Sequence, residues 1–375
     1  MPERSEFLHK TLIITLVVLP LLGTLTAIYY TWNQYVFWQD IAILLGMYAV
    51  TTMGVTIGYH RMLTHKGFDA PEWLRGLVLI CGAMAYEGQP LSWTATHIKH
   101  HAHSDEEGDP HSPLDGFWHA HFGWLFSLNN FPKVKEYAPQ LLEDKTAVWV
   151  DTYTLIWMGL ALAIPFALGG WTGLIWGGAV RIFLTTHITW SVNSVCHTFG
   201  KRDFETTDAS RNNWLIGLLG FGEGWHNNHH AFPNSAFHGL KWYQFDMSGI
   251  VIRTLEVVGL IWNVERVSEA AFIAQKQRVE TMREAATRIR KDMYRRIANA
   301  KKELFESLEQ RLDQTINERE LLTATKQCEH AAARLEEIQK RIARAKNLKR
   351  QKILAYQREV GELIQNTRKS LVPTT

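Results

Sequence analysis

The chain has 375 residues, 46% of them hydrophobic, and a formal net charge of +3. That charge hides two different parts: residues 1–263 carry 15 Lys and Arg against 21 Asp and Glu, whereas residues 264–375 carry 25 against 16, and the tryptophans lie in the first part. Three scattered cysteines, Cys81, Cys196 and Cys328, exclude a disulfide framework and a thiolate metal centre, and no nucleic-acid partner is expected.

In chain order, four apolar stretches are long enough to cross a bilayer, which takes about 20 helical residues. They run over about 11–32, 37–59, 148–168 and 171–196. The connections Asn33-Gln34-Tyr35 and Gly169-Gly170 are short, so the stretches pair as two hairpins, and neither connection carries Lys or Arg. Arg4, Lys10, Lys66, Lys99, Lys201, Arg202 and Lys241 collect on the other side, which puts both termini in the cytoplasm by the positive-inside rule. The run Gly76 to Tyr86 is too short to span and reads as an interfacial or re-entrant helix. Arg181 falls near mid-span, where a charge needs a partner. The expected fold is all-α: a four-transmembrane-helix bundle with a cytoplasmic helical cap.

Seventeen histidines are more than such a chain needs, and eight fall into three boxes: His60 and His65; His97, His100 and His101; His226, His229 and His230. Imidazole is the usual neutral ligand of first-row transition metals, and eight cannot share one ion, so two metals are implied. At positions i, i+3 and i+4 the rings of the second and third boxes point to one side of a helix. His60 and His65, five apart, are about 140° apart on an α-helix, so they serve different metals unless the helix ends there. Asn193 and His197 share a face of the fourth apolar helix, which raises the set to nine imidazoles and gives Asn193 a place to hold a water. A nitrogen-rich, thiolate-free pair of sites with open positions suits non-haem iron and oxygen chemistry.

These segments resemble the integral-membrane fatty-acid desaturases of the acyl-CoA/acyl-lipid Δ9 type, related to stearoyl-CoA desaturases, with the third box most similar to bacterial members. The resemblance rests on His60…His65, Thr96 to Asp105, Gly108-Asp109-Pro110-His111, Thr189 to His197 and Gly222 to Pro233, and covers about residues 10–263. It implies a domain over 1–263 that binds two irons through the nine histidines, with Asn193 acting through a water, and uses O2 to convert a saturated acyl chain into a cis-unsaturated one. It further implies a bacterial inner membrane and a separate electron donor (a ferredoxin, a b-type cytochrome or a reductase), since nothing here resembles a fused one. Trp190 resembles a residue of the acyl tunnel, and Tyr48 and Leu44 are read as its far end. His111, Asp105 and Asp109 are read as partners that orient ligand rings. Animal acyl-CoA desaturases carry a basic residue before the second box and a basic pair after Gly-Trp-Leu; Ala95, Thr96, Asn129 and Asn130 stand here, with Lys133 and Lys135 slightly later as candidate substitutes for the pair. The acyl carrier (coenzyme A, a carrier protein or a membrane lipid) therefore stays open. Two alternatives to desaturation are a histidine-box hydroxylase or alkane monooxygenase and a non-enzymatic metal scaffold or transporter.

The basic segment 264–375 is expected to be a coiled-coil helix or a helical hairpin folding at 313–320. Its apolar series run from Met282 to Leu312 and from Ala324 to Ala345 at steps of three and four. Self-association, docking of the electron donor and contact with anionic lipid are its candidate roles.

Overall fold

The computed structural model describes residues 2–32, 36–312, 318–344 and 350–371, and over these the chain is helical, with isolated β-bridges and no strand. It forms two compact units, Met1–Gln275 and Lys276–Thr375. The unit border falls later than the expected 263, because the chain there is still tied to the first unit: Glu265 N donates to Gly67 O (2.7 Å) and Ala236 N to Glu265 O (3.0 Å).

The first unit opens with α1 (Pro2–Trp32) and α2 (Trp38–Met53), which runs on without a break as a π-helix over Gly54–Thr64. The expected turn at Asn33-Gln34-Tyr35 lies outside the described residues. α3 (Glu72–Ala83) lies on the π-helix so closely that a Cβ on Gly54 would overlap the backbone of Gly82, which explains glycine at both positions. α4 (Pro90–His103) follows, then the short α5 (Phe117–His121), α6 (Val134–Tyr137) and α7 (Lys145–Thr152). α7 takes the first residues expected for the third apolar stretch. Asp144 caps it by accepting from Ala147 N (3.0 Å), and it ends where Thr154 Oγ1 turns back to Asp151 O (2.8 Å), so that stretch begins at Thr154 rather than 148.

Among the described residues, three segments are long and apolar enough to cross a membrane: Glu6–Thr31, Trp38–Thr64 and Thr154–Thr198. The last contains α8 (Thr154–Gly173), a π-helical stretch and α9 (Arg181–Thr198), and it breaks at Gly170 (φ 60°). Along an unbroken helix, residues eight apart would be about 12 Å apart. Here a Cβ on Gly173 would overlap the carbonyl of Pro165, so the chain folds back on itself at the glycine pair. Arg181 is fully buried and donates to three helix carbonyls, Met84 O (2.8 Å), Ala161 O (3.2 Å) and Gly177 O (3.2 Å), tying α3 to α8 and α9. α10 (Trp214–Leu219), α11 (His226–Ala231) and α12 (Met247–Val257) close the unit over the ends of α2, α4 and α9.

In the second unit, α13 (Glu269–Leu312, of which the first turns belong to the first unit), α14 (Glu318–Arg344) and α15 (Arg350–Leu371) share one apolar cluster. Met293, Ile297, Ala300 and Leu304 meet Ala324, Cys328, Ala331, Leu335, Ile338 and Ile342, so both expected series are largely spent inside the chain. Most of the expected turn, residues 313–317, lies outside the described residues. α15 adds Tyr356, Val360, Leu363 and Ile364 to the same cluster, a third series at helical spacing, and Glu359 pairs with Arg334 of α14 (3.1 Å).

The Gly54–Gly82 contact is testable. Gly54→Ala is expected to lower stability by roughly 1–3 kcal/mol through overpacking, read as a lower thermal midpoint in detergent. Gly46→Ala, whose Cβ meets nothing within 4 Å, should show no loss.

Candidate metal centre

Helix geometry decides which imidazoles meet. The π-helix closes i→i+5 bonds, and His65 N donates to His60 O (3.1 Å), so residues five apart fall on one face. His60 and His65 therefore join one group; the helix ends at Thr64, which meets the second branch of the expectation, and it does so through a local helix type that periodicity did not reveal. On α4, His97 and His101 are 40° apart around the axis while His100 is turned the other way; α11 repeats this with His226 and His230 against His229. The three rings of each of these two boxes stay on one side of their helix, within a 100° arc, but are divided between two groups. His60, His65, His97, His101 and His229 form one group and His100, His197, His226 and His230 the other; within each, the ligand atoms lie within 4.8 Å of one another.

Four of these rings are held from behind by carboxylates. His60 Nδ1 donates to Glu223 Oε2 (2.5 Å), His100 Nδ1 to Asp109 Oδ1 (2.9 Å), His197 Nδ1 to Asp105 Oδ2 (2.8 Å) and His230 Nδ1 to Asp208 Oδ2 (2.9 Å). A carboxylate only accepts, so each Nδ1 carries the proton and each Nε2 a bare lone pair. Those lone pairs converge. His197 Nε2 and His230 Nε2 each lie 3.0 Å from His226 Nε2, while His60 Nε2 is 3.1 Å and His101 Nε2 2.9 Å from His229 Nε2. His100 Nε2 and His65 Nε2 are buried without a partner. Inward-facing lone pairs repel one another and are satisfied by a cation, so the residues fit two nitrogen-ligated metal ions.

The surroundings disfavour protonation of six of these rings. Burial, then the neighbouring imidazoles, pushes His65, His97, His101, His226 and His229 well below the usual histidine range. Burial also lowers His230, to about 4, against the opposing pull of Asp208. Burial alone would raise Asp105, Asp109 and Asp208, but the hydrogen bonds they accept from His197, His100 and His230, and from backbone and hydroxyl donors, outweigh it and hold all three low.

Several residues that sequence reasoning gave no role complete the frame. Arg61, fully buried, reaches Glu223 (3.2 Å) and Asp246 (2.9 Å), balancing the carboxylate behind His60. Asn228 donates to His238 O (2.8 Å) and Gln244 Oε1 (2.9 Å), and Asn227 accepts from Asp203 N and Phe204 N, so the two asparagines of the third box fix α11. His238 lies against His60 and His229 (ring centroids 5.2 and 4.6 Å), with its Nδ1 3.5 Å from Glu223 Oε1. A basic residue directly after His60 was the one available signal; Asp208 had none.

A narrow cavity of about 40 Å3 adjoins the centre, lined among others by Trp93, His60, His97, Thr189, Asn193 and His226. Asn193 therefore faces the metal groups. Trp190, Tyr48 and Leu44 do not line this cavity: Trp190 packs with Trp124 and Leu125, Leu44 with Ala27 and Val180, and Tyr48 donates from its hydroxyl to Leu219 O (2.7 Å). His111 stands behind His100, its ring 4.4 Å away by centroid, with its backbone N–H on Asp109 Oδ1 (3.1 Å).

Membrane-length apolar helices beside nine imidazoles, gathered in two carboxylate-backed groups that could each hold a metal ion, define a membrane-type protein with a histidine-rich site. The fatty acid desaturase family model matches residues 13–247, and the chain belongs to that family. It is 45% identical over 246 residues to a palmitoyl-monogalactosyldiacylglycerol delta-7 desaturase of Arabidopsis thaliana, spanning 64% of this chain and 65% of that protein. It is 40% identical over 231 residues to an sn-1 stearoyl-lipid 9-desaturase of Anabaena variabilis (61% and 85%). To a hex-5-enoyl-[acyl-carrier protein] acetylenase of Moorena producens it is 39% identical over 280 residues (69% and 87%).

Removing Arg61 strands two buried carboxylates. Arg61→Leu is expected to cost about 3–5 kcal/mol, seen as a large drop in the thermal midpoint, whereas Arg61→Lys should recover part of it.

Proposed function

We propose that the chain is an oxygen-dependent diiron desaturase that places a cis double bond at carbon 9 of a saturated acyl chain carried by a membrane lipid. The observation that carries this reading is the pair of imidazole groups opening on a partly apolar cavity. His60, His65, His97, His101 and His229 hold one iron, and His100, His197, His226 and His230 the other, with Asn193 holding a water. The bound irons supply activation of O2 and abstraction of hydrogen from an unactivated methylene. The chain's own residues do the positioning. Val55, Ile188 and Val192 give the acyl chain an apolar wall, and Trp93 stacks on His97 (5.0 Å, 14°), fixing that ring and keeping water from it.

Two of the relatives named above act, by their names, on lipid-bound chains, and Asn129 and Asn130 here replace a phosphate-binding basic pair. Both favour a lipid ester as carrier. The three apolar segments, the last doubled at Gly170, support four crossings with the termini and the metal centre in the cytoplasm of a bacterial inner membrane. Electrons come from a separate donor.

Expression in a cell lacking its own membrane desaturase should yield Δ9 monounsaturated chains by mass spectrometry, and His229→Ala should yield none. A hydroxylated product would instead favour the monooxygenase alternative. Supplying the purified protein with acyl-lipid, acyl-CoA and acyl-carrier protein in turn identifies the carrier. Because the apolar series of the second unit is buried within the chain, truncation after Gln275 is expected to leave the oligomeric size unchanged in light scattering; a smaller particle would give that unit a role in assembly.

A further inference from the structure

The carboxylates behind the ligand rings are unevenly shared. In the group of four, three rings have one: His100 has Asp109, His197 has Asp105 and His230 has Asp208. In the group of five, among the described residues, only His60 has one, Glu223, and no carboxylate bonds to His65, His97, His101 or His229.

Counter-charge widens the difference. Glu223 and Asp246 share the buried Arg61, so the group of five sees two acids and one cation. The other three carboxylates are satisfied by neutral donors. Asp105 accepts from Ser112 Oγ (3.1 Å) and Ala209 N (2.7 Å), and Asp109 from Asp105 N (2.8 Å) and His111 N (3.1 Å). Asp208 accepts from Thr206 Oγ1 (2.8 Å) and Ser210 N (2.9 Å). The Arg202 guanidinium reaches the backbone carbonyl of Asp208 (2.8 Å) and lies 3.8 Å from Glu205. A carboxylate on Nδ1–H makes Nε2 a stronger donor, and uncompensated negative charge in a buried site favours a divalent cation.

We propose that the two metal sites are unequal. The site of His100, His197, His226 and His230, although it has one imidazole fewer, fills first and holds its metal more tightly, with Asp105, Asp109 and Asp208 as positioning residues. The site of His60, His65, His97, His101 and His229 fills second and empties first. This rests on the diiron reading above.

The test is an anaerobic titration of the chelator-stripped, full-length protein with ferrous iron alone, followed by calorimetry and by Mössbauer spectroscopy. Two steps at least about tenfold apart are expected, with a single quadrupole doublet up to one equivalent. Asp208→Asn, or Asp109→Asn as a second variant, should weaken the tight step by roughly 10–100-fold and spare the loose one. Glu223→Gln should do the reverse. Two indistinguishable steps in the unaltered protein overturn the inequality while leaving the diiron reading in place. A tight step weakened by Glu223→Gln and untouched by both aspartate variants overturns the assignment of sites. Binding of fewer than two irons overturns both the inference and the reading beneath it.

Discussion

Nine imidazoles must present bare lone pairs to two points in space, and most of the first unit follows from that demand. A histidine ring rotates freely and carries its proton on either nitrogen unless something fixes both choices. Asp105, Asp109, Asp208 and Glu223 fix them for four rings, and the remainder are held by burial and by contact with those four. Such carboxylates can be buried only if they are fully hydrogen-bonded, which explains why the loops at 105–112 and 203–212 look inward rather than outward.

The scaffold answers to the same demand. α2 changes to a π-helix at Gly54, bringing His60 and His65 onto one face at the level of α4. That segment can sit against α3 only because glycines meet there. Arg181 satisfies the carbonyl ends of neighbouring helices in the apolar part of the unit, while Arg61 balances charge next to the metal groups. The two arginines look alike in sequence but do different things, one bonding dipoles and the other ion pairs.

Much of this was legible beforehand. The three boxes, His197 and Asn193 are local patterns, and all of them converge on the centre and its cavity. Asp105 and Asp109 were legible through family resemblance alone. The division of the second and third boxes between two groups was not, because it needs the relative placement of α4, α9 and α11. The π-helix escaped because hydrophobic spacing does not distinguish i→i+4 from i→i+5 bonding over eleven residues. Asp208 sits in a polar loop whose course depends on tertiary contacts. Tyr48 and Leu44 were placed by helix projection, which cannot tell a cavity wall from a packing face, and Trp190 by family resemblance; none of the three lines the cavity beside the centre.

X-ray absorption at the iron edge of the iron-loaded, full-length protein tests the central claim most directly. A shell of nitrogen and oxygen alone, with between four and five imidazoles per iron on average and no sulfur, is the predicted result. A sulfur shell, or an average of two imidazoles or fewer, would contradict the assignment of the two histidine groups as the metal centre.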